Sequence, residues 1–166
     1  LYEQRLRAYA RAMIHHDQDA EDLTQEALIR IYRALPYFQR QASFATWAFR
    51  ILARLCLDHL RQGKRRPRCE AWPEPGNEGR LPLSSAPDPE AAALRSEFRA
   101  RVRAALAGLP DEQRTVVVLH DVCSFKYREI ADITRCSIGT VKSRLFTART
   151  RLREMLDPGR SDGRNI

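Results

Sequence analysis

The sequence predicts an all-α protein of two small helical domains joined by a flexible linker. Three observations lead there. Apolar residues recur at three- and four-residue intervals in both halves of the chain. No stretch alternates apolar and polar residues long enough to make a strand. Between the halves lies GKRRPRCEAWPEPGNEGRLPLSSAPDP, residues 63–89, which holds six of the nine prolines. Helix does not continue through such a segment. A length of 166 residues suits two small domains, each with a modest core. The boundaries expected are 1–64 for the first domain, 65–90 for the linker, 91–157 for the second domain and 158–166 for a disordered tail.

Each helix has its own signals. Tyr2, Leu6, Tyr9, Ala10 and Met13 mark one face of the first. Asp17 and Asp19 suit the start of the second, which carries Leu23, Ala27, Leu28, Ile31 and Leu35 on one side and stops at Pro36. Ser43 is placed to cap the third, with Phe44, Trp47, Ile51, Leu55 and Leu60 turned inward. In the second half, Leu94, Phe98, Val102, Ala105 and Leu106 share one helix; Gly108 ends it and Pro110 opens the next. The run Val116–Leu119 is strand-like by propensity, but its flanking helix signals and helical neighbours predict a buried helix. Two further helices separated by a short turn complete the pattern.

The formal net charge is +8 and the pI about 9.9. That balance favours a polyanionic partner, nucleic acid first and an anionic membrane surface second. No run of about 18 apolar residues exists, so no membrane insertion is expected. The N-terminus lacks a charged-then-apolar signal pattern. The four cysteines, Cys56, Cys69, Cys123 and Cys136, show neither a two-residue gap nor a disulfide framework, which fits a reducing cytoplasm. Cys123 and Cys136, around the later helices, are not expected to respond to oxidants.

The stretch EIADITRCSIGTVKSRLFTARTRLREM reads as a helix-turn-helix. Tyr127, Ile130, Ala131 and Ile133 pack the first helix inward. Cys136 and Ser137 make the turn, and Ser137 caps the second helix. Val141 and Leu145 face the core, leaving Thr140, Lys142, Ser143, Arg144 and Thr147 toward solvent. A helix of this kind enters the major groove of DNA, with cations on phosphates and hydroxyls on phosphate or base edges. The third helix of the first half combines Phe44, Trp47 and Phe49 with Arg50, Arg54, His59 and Arg61. Aromatic faces and cations together suit single-stranded DNA; packing in the core is the other use for the aromatics. Asp19, Glu21, Asp22 and Glu26 cluster at the start of the second helix, where the helix dipole favours carboxylates. With no interleaved histidine, they predict neither a metal site nor catalytic residues, and no cofactor is implied.

The run Leu109-Pro110, Arg114, Tyr127-Arg128-Glu129-Ile130-Ala131, Gly139-Thr140-Val141-Lys142-Ser143-Arg144-Leu145 and Ala148-Arg149 resembles region 4 of the bacterial extracytoplasmic-function (ECF, group 4) sigma factors. That domain alone does not separate a sigma factor from a stand-alone helix-turn-helix regulator. The first half does: DAEDLTQEALIRIYRALPYF resembles region 2.2, and ASFATWAFRILARLCLDHLR resembles regions 2.3 and 2.4. The resemblance implies a non-enzymatic factor that binds core RNA polymerase, recognises two promoter elements and promotes their opening. It implies −35 contacts by Lys142, Ser143, Arg144 and Arg149, and −10 contacts along the third helix. It implies docking of Asp22, Gln25, Glu26 and Arg30 on the clamp coiled coil of the largest polymerase subunit, with the flap of the second-largest as a further contact. An anti-sigma factor is the expected regulator. Arg54 departs from the family, whose members commonly carry asparagine there as part of the −10 base pocket.

Overall fold

The structure, a computed structural model, describes residues 2–65 and 89–157. Most of the expected linker, with Trp72, Leu81, Leu83 and Cys69, and the expected tail lie outside the described residues. Among the described residues every regular element is helical: α1 Tyr2–Met13, α2 Asp17–Ala34, α3 Phe44–Arg65, α4 Pro89–Ala107, α5 Asp111–Val117, α6 Tyr127–Thr134 and α7 Ile138–Leu156. A 3₁₀ turn, Leu35–Tyr37, follows α2 at Pro36, and a π turn, Val118–Val122, prolongs α5.

The caps follow from the local sequence. Ser43 Oγ accepts the Thr46 amide at 3.1 Å, and Ser137 Oγ accepts the Thr140 amide at 3.0 Å. Glu129 reaches back to the Lys126 amide at 2.9 Å at the start of α6. At the end of α6, Arg135 takes a left-handed conformation, φ 54°, and the Cys136 amide returns to the Ala131 carbonyl at 3.2 Å. This reversal is the turn of the helix-turn-helix.

Helices α1, α2 and α3 bury Leu6, Tyr9, Ala10, Met13, Ala27, Phe49 and Leu52 against one another. Helices α5, α6 and α7 with the π turn bury Val116, Leu119, Ile130, Val141, Leu145 and Ala148. Three side chains expected on core faces are not covered. Leu35 is exposed in the 3₁₀ turn, and Leu94 and Phe98 are exposed because the first turns of α4 run beyond their neighbours.

The two halves share one buried cluster. Phe49 of α3 meets Phe125 edge-on at 4.8 Å, and the Arg5 guanidinium lies over both rings, 5.7 and 5.3 Å from their centroids. Arg5 also donates to the Cys123 carbonyl at 2.6 Å. Arg114 is buried and donates to the carbonyls of Met13 at 2.8 Å, Ala107 at 2.6 Å and Leu109 at 3.2 Å. Met13 and Ala107 are the last residues of α1 and α4, so one cation meets the negative ends of two helices, one from each half. Lys64 pairs with Asp111 at 2.6 Å at the rim.

Candidate nucleic-acid interface

Ser137 holds the first turn of α7 by its cap, and Val141, Leu145 and Ala148 anchor one face of the helix. The opposite face then follows from helical spacing. Lys142 and Ser143 are exposed, Thr140 and Thr147 half-buried. Ser143 Oγ donates to the Thr140 carbonyl at 3.0 Å, which leaves its lone pairs outward. Phe146, missed in the sequence reading, is 76 % exposed three and four residues beyond Ser143 and Lys142. The spacing from Lys142 was the available signal. An aromatic ring on a groove-facing helix makes apolar contact with a thymine methyl.

The expected arginines of α7 are held differently. Arg144 forms a close ion pair with Glu112, and Arg149 one with Asp121. Arg149 Nε also reaches Asp121 Oδ2 at 3.3 Å. His120 Nδ1 lies 2.7 Å from Asp121 Oδ1, and its ring is tilted against Tyr127 at 5.2 Å. Burial alone raises the Asp121 carboxyl; hydrogen bonds and charge from Arg149 and His120 outweigh it and hold the carboxyl below its usual value. Both arginines therefore already hold a carboxylate partner. Lys142 has no such partner among the described residues.

On α3, Trp47, Arg50, Arg54 and Arg61 fall on one stripe by spacing. Phe44 and Trp47 belong to an aromatic cluster: Phe44 is 5.2 Å from Tyr2, 6.0 Å from Phe38 and 5.8 Å from Trp47. Phe38 and Trp47 lie 4.9 Å apart. Beside them opens a cleft of about 380 Å³, lined by residues 37–42, Trp47, Arg50 and Asp132. Its wall offers aromatic faces from Tyr37, Phe38 and Trp47, amides from Gln39 and Gln41, and cations from Arg40 and Arg50. The loop 38–42 was not singled out from the sequence; the run Phe38-Gln-Arg-Gln-Ala42 ahead of the Ser43 cap is its signature. Arg50 Nε donates to the Asp132 carbonyl of α6 at 3.1 Å, so the second half closes one side of the cleft. Arg54 projects into solvent, with Asp58 3.8 Å away; Arg61 has Asp58 at the same distance. His59 stands apart from the cleft, 3.4 Å from Asp19 across α2 and α3.

The acidic cluster divides in two. Asp19 faces His59, and Glu21 pairs with Arg7 at 2.9 Å. Asp22, Gln25, Glu26 and Arg30 stay on the outer face of α2, with Arg30 Nε on Glu26 at 2.6 Å. Ile29 and Tyr32, 46 % and 79 % exposed, extend that face with apolar surface the sequence reading missed. Among the described residues no group of His, Cys, Asp or Glu is arranged to hold a metal ion, and no helix is long and apolar enough to cross a membrane.

The sigma-70 region 2 family model matches residues 1–66, and the sigma-70 region 4 model matches residues 99–152. The RNA polymerase sigma-H factor of Pseudomonas aeruginosa is 36 % identical over 148 residues, covering 87 % of this chain and 77 % of that one. The ECF RNA polymerase sigma-E factor of Escherichia coli K12 is 34 % identical over 143 residues, covering 84 % and 75 %. The chain belongs to the ECF sigma-70 factors. A solved structure, the sigma factor RpoE in complex with the anti-sigma factor NepR from Bartonella quintana, matches with TM-score 0.71 and 27 % identity over 96 % of this chain and 94 % of that chain. This ECF sigma factor therefore acts in transcription initiation: it binds core RNA polymerase, recognises −35 and −10 promoter elements and promotes DNA opening. The family is not one of enzymes.

Proposed function

We propose that the two surfaces divide the promoter between them. The exposed face of α7 reads the −35 element: Lys142 takes phosphate, Ser143, Thr140 and Thr147 hydrogen-bond backbone or base edges, and Phe146 meets a methyl group. Arg144 and Arg149 leave Glu112 and Asp121 to join them. The observation that carries the −10 assignment is the cleft at the start of α3. Its aromatic walls, amides and cations match an extruded base and its phosphate. Trp47 and Phe38 stack, Arg50 and Arg54 hold backbone, and Arg61 extends the cationic track. Phe44 supports the wall, and His59 acts through α3 rather than by contact. Because the Asp132 carbonyl holds Arg50, base capture requires α3 and α6 to part.

The outer face of α2, Asp22, Gln25, Glu26 and Arg30 with Ile29 and Tyr32, docks on the clamp coiled coil of the largest polymerase subunit. The second half meets the flap of the second-largest. An anti-sigma factor holds the free protein inactive, as the relative bound to NepR suggests, and the protein works in the cytoplasm. The polymerase supplies all of the chemistry. A promoter carrying 2-aminopurine in the −10 element tests the cleft. Wild-type holoenzyme should give a fluorescence rise on opening. Trp47→Ala and Arg50→Ala should lower it about tenfold while core binding and −35 protection persist. An unchanged rise in both variants rejects the cleft as the base site.

A further inference from the structure

A small recess lies at the joint between the two halves, and the promoter reading does not use it. Its polar side chains are Arg11, His15, Arg103 and Arg114, and no described carboxylate lines it. Arg11 ends α1 and His15 follows it, whereas Arg103 and Arg114 stand on α4 and α5. Each half therefore brings positive charge to the same place. The enclosed space is about 20 Å³, room for one water-sized particle. Donors there are unspent: Arg11 Nε and Arg114 Nε are buried without a hydrogen-bond partner. Burial, then the charges of Arg114 and His16, hold His15 toward its neutral form, which keeps an N–H to donate. The local charge does not balance. Three guanidinium groups meet one carboxylate, Asp17, which is 3.8 Å from Arg103. Lys64 matches Asp111, the carboxylate that also acts on Arg114. The carbonyl ends of α1 and α4 supply about half a negative charge each, which leaves an excess of about one positive charge. The start of α2 at Asp17 adds to that excess rather than offsetting it.

We propose that this recess binds one chloride-sized anion, held by Arg11 and His15 from one half and Arg103 from the other. The anion cancels the excess charge and removes the repulsion of like charges across the joint. It thereby ties the halves together and keeps α6 against the −10 cleft. The other occupants fit less well. A water molecule has the size but leaves the charge. Tetrahedral phosphate has the charge but exceeds the enclosed space. A phosphate of duplex DNA is carried on a backbone too wide to enter it.

The test follows the opening of the joint in the full chain. Cys123 is buried there, so its rate of reaction with a thiol reagent, read by peptide mass, reports the open form. Potassium chloride is titrated against potassium gluconate at constant ionic strength, which holds screening fixed. Labelling should slow hyperbolically, by about tenfold when chloride reaches ten times its Kd. Arg11→Gln with Arg103→Gln should abolish that dependence. Neither side chain is fully buried, so the double variant should keep the wild-type circular dichroism. Crystals soaked in bromide should show an anomalous peak between Arg11 and Arg103. Four results would overturn the proposal: equal labelling of the wild-type chain in the two salts; a chloride dependence that persists in the double variant, which would make it a general salt effect; a bromide peak absent from the recess; or inorganic phosphate slowing the labelling at lower concentration than chloride, which would assign the site to an oxyanion.

Discussion

Arg114 shows how much one side chain holds. Its guanidinium is buried and meets three carbonyls at the ends of two helices, one from each half of the molecule. Removing it strands those acceptors and opens a cavity, a loss of about 3 kcal/mol. The thiols of Cys56 and Cys123 make a different residue-scale point. Burial pushes each up to about 12, with Arg5 opposing the rise at Cys123. Neither ionises at neutral pH. Burial likewise raises the Tyr9 phenol. Groups raised in this way stabilise the fold fully below their unfolded values. That contribution is lost as pH climbs toward the folded ones, because the unfolded chain releases the proton first. Stability should therefore fall from about pH 9 upward, by about 1 kcal/mol per thiol at pH 10. Urea titrations from pH 7 to 10.5 measure this. Cys56→Ala with Cys123→Ala should flatten the alkaline slope, and an unchanged slope would assign it to other groups.

Among the elements, α7 depends most on its beginning. Ser137 accepts the Thr140 amide and also lies 2.9 Å from the Thr140 hydroxyl. Ser137→Ala should cost about 1 kcal/mol by thermal unfolding and, on the proposed −35 reading, weaken −35 binding, because the first turn of α7 frays. Ser137→Asp should restore stability, since it supplies the same cap. This element was legible in the sequence. A capping serine, Val141 and Leu145 four apart, and the solvent positions between them predicted both the helix and its outer face. Phe146 shares the spacing of Lys142 but was passed over, because an aromatic residue in a helix reads as core until its neighbours are known. The same limit applied to Leu94 and Phe98: periodicity told which face they share, not where the covering helices end. The cleft loop lacks periodicity altogether, so its run ahead of the Ser43 cap marks a loop but not a cleft wall.

At the scale of the whole molecule, two helical halves and the proline-rich break between them were readable from composition and spacing. Their shared core was not. It arises from contacts such as Phe49 with Phe125 and Arg50 with the Asp132 carbonyl, 76 and 82 residues apart, which no local pattern encodes. The Arg50–Asp132 contact closes the cleft on one side, so opening the joint should release it. Phe125→Asp places an unpaired carboxylate in that joint. It should raise the hydrodynamic radius and expose Cys123 to thiol reagents at least tenfold faster. Intact helicity with unchanged radius and labelling would show that the joint tolerates the charge.

The most direct measurement of the central claim is transcription in vitro. The purified chain is combined with core RNA polymerase and genomic DNA fragments from its source, and the transcript starts are mapped. Discrete starts that share two upstream motifs are predicted. Lys142→Ala with Phe146→Ala should lower use of those starts while Asp22→Ala with Glu26→Ala lowers binding to core. Duplex binding without polymerase, accompanied by no discrete starts, would contradict the account and leave a stand-alone helix-turn-helix regulator.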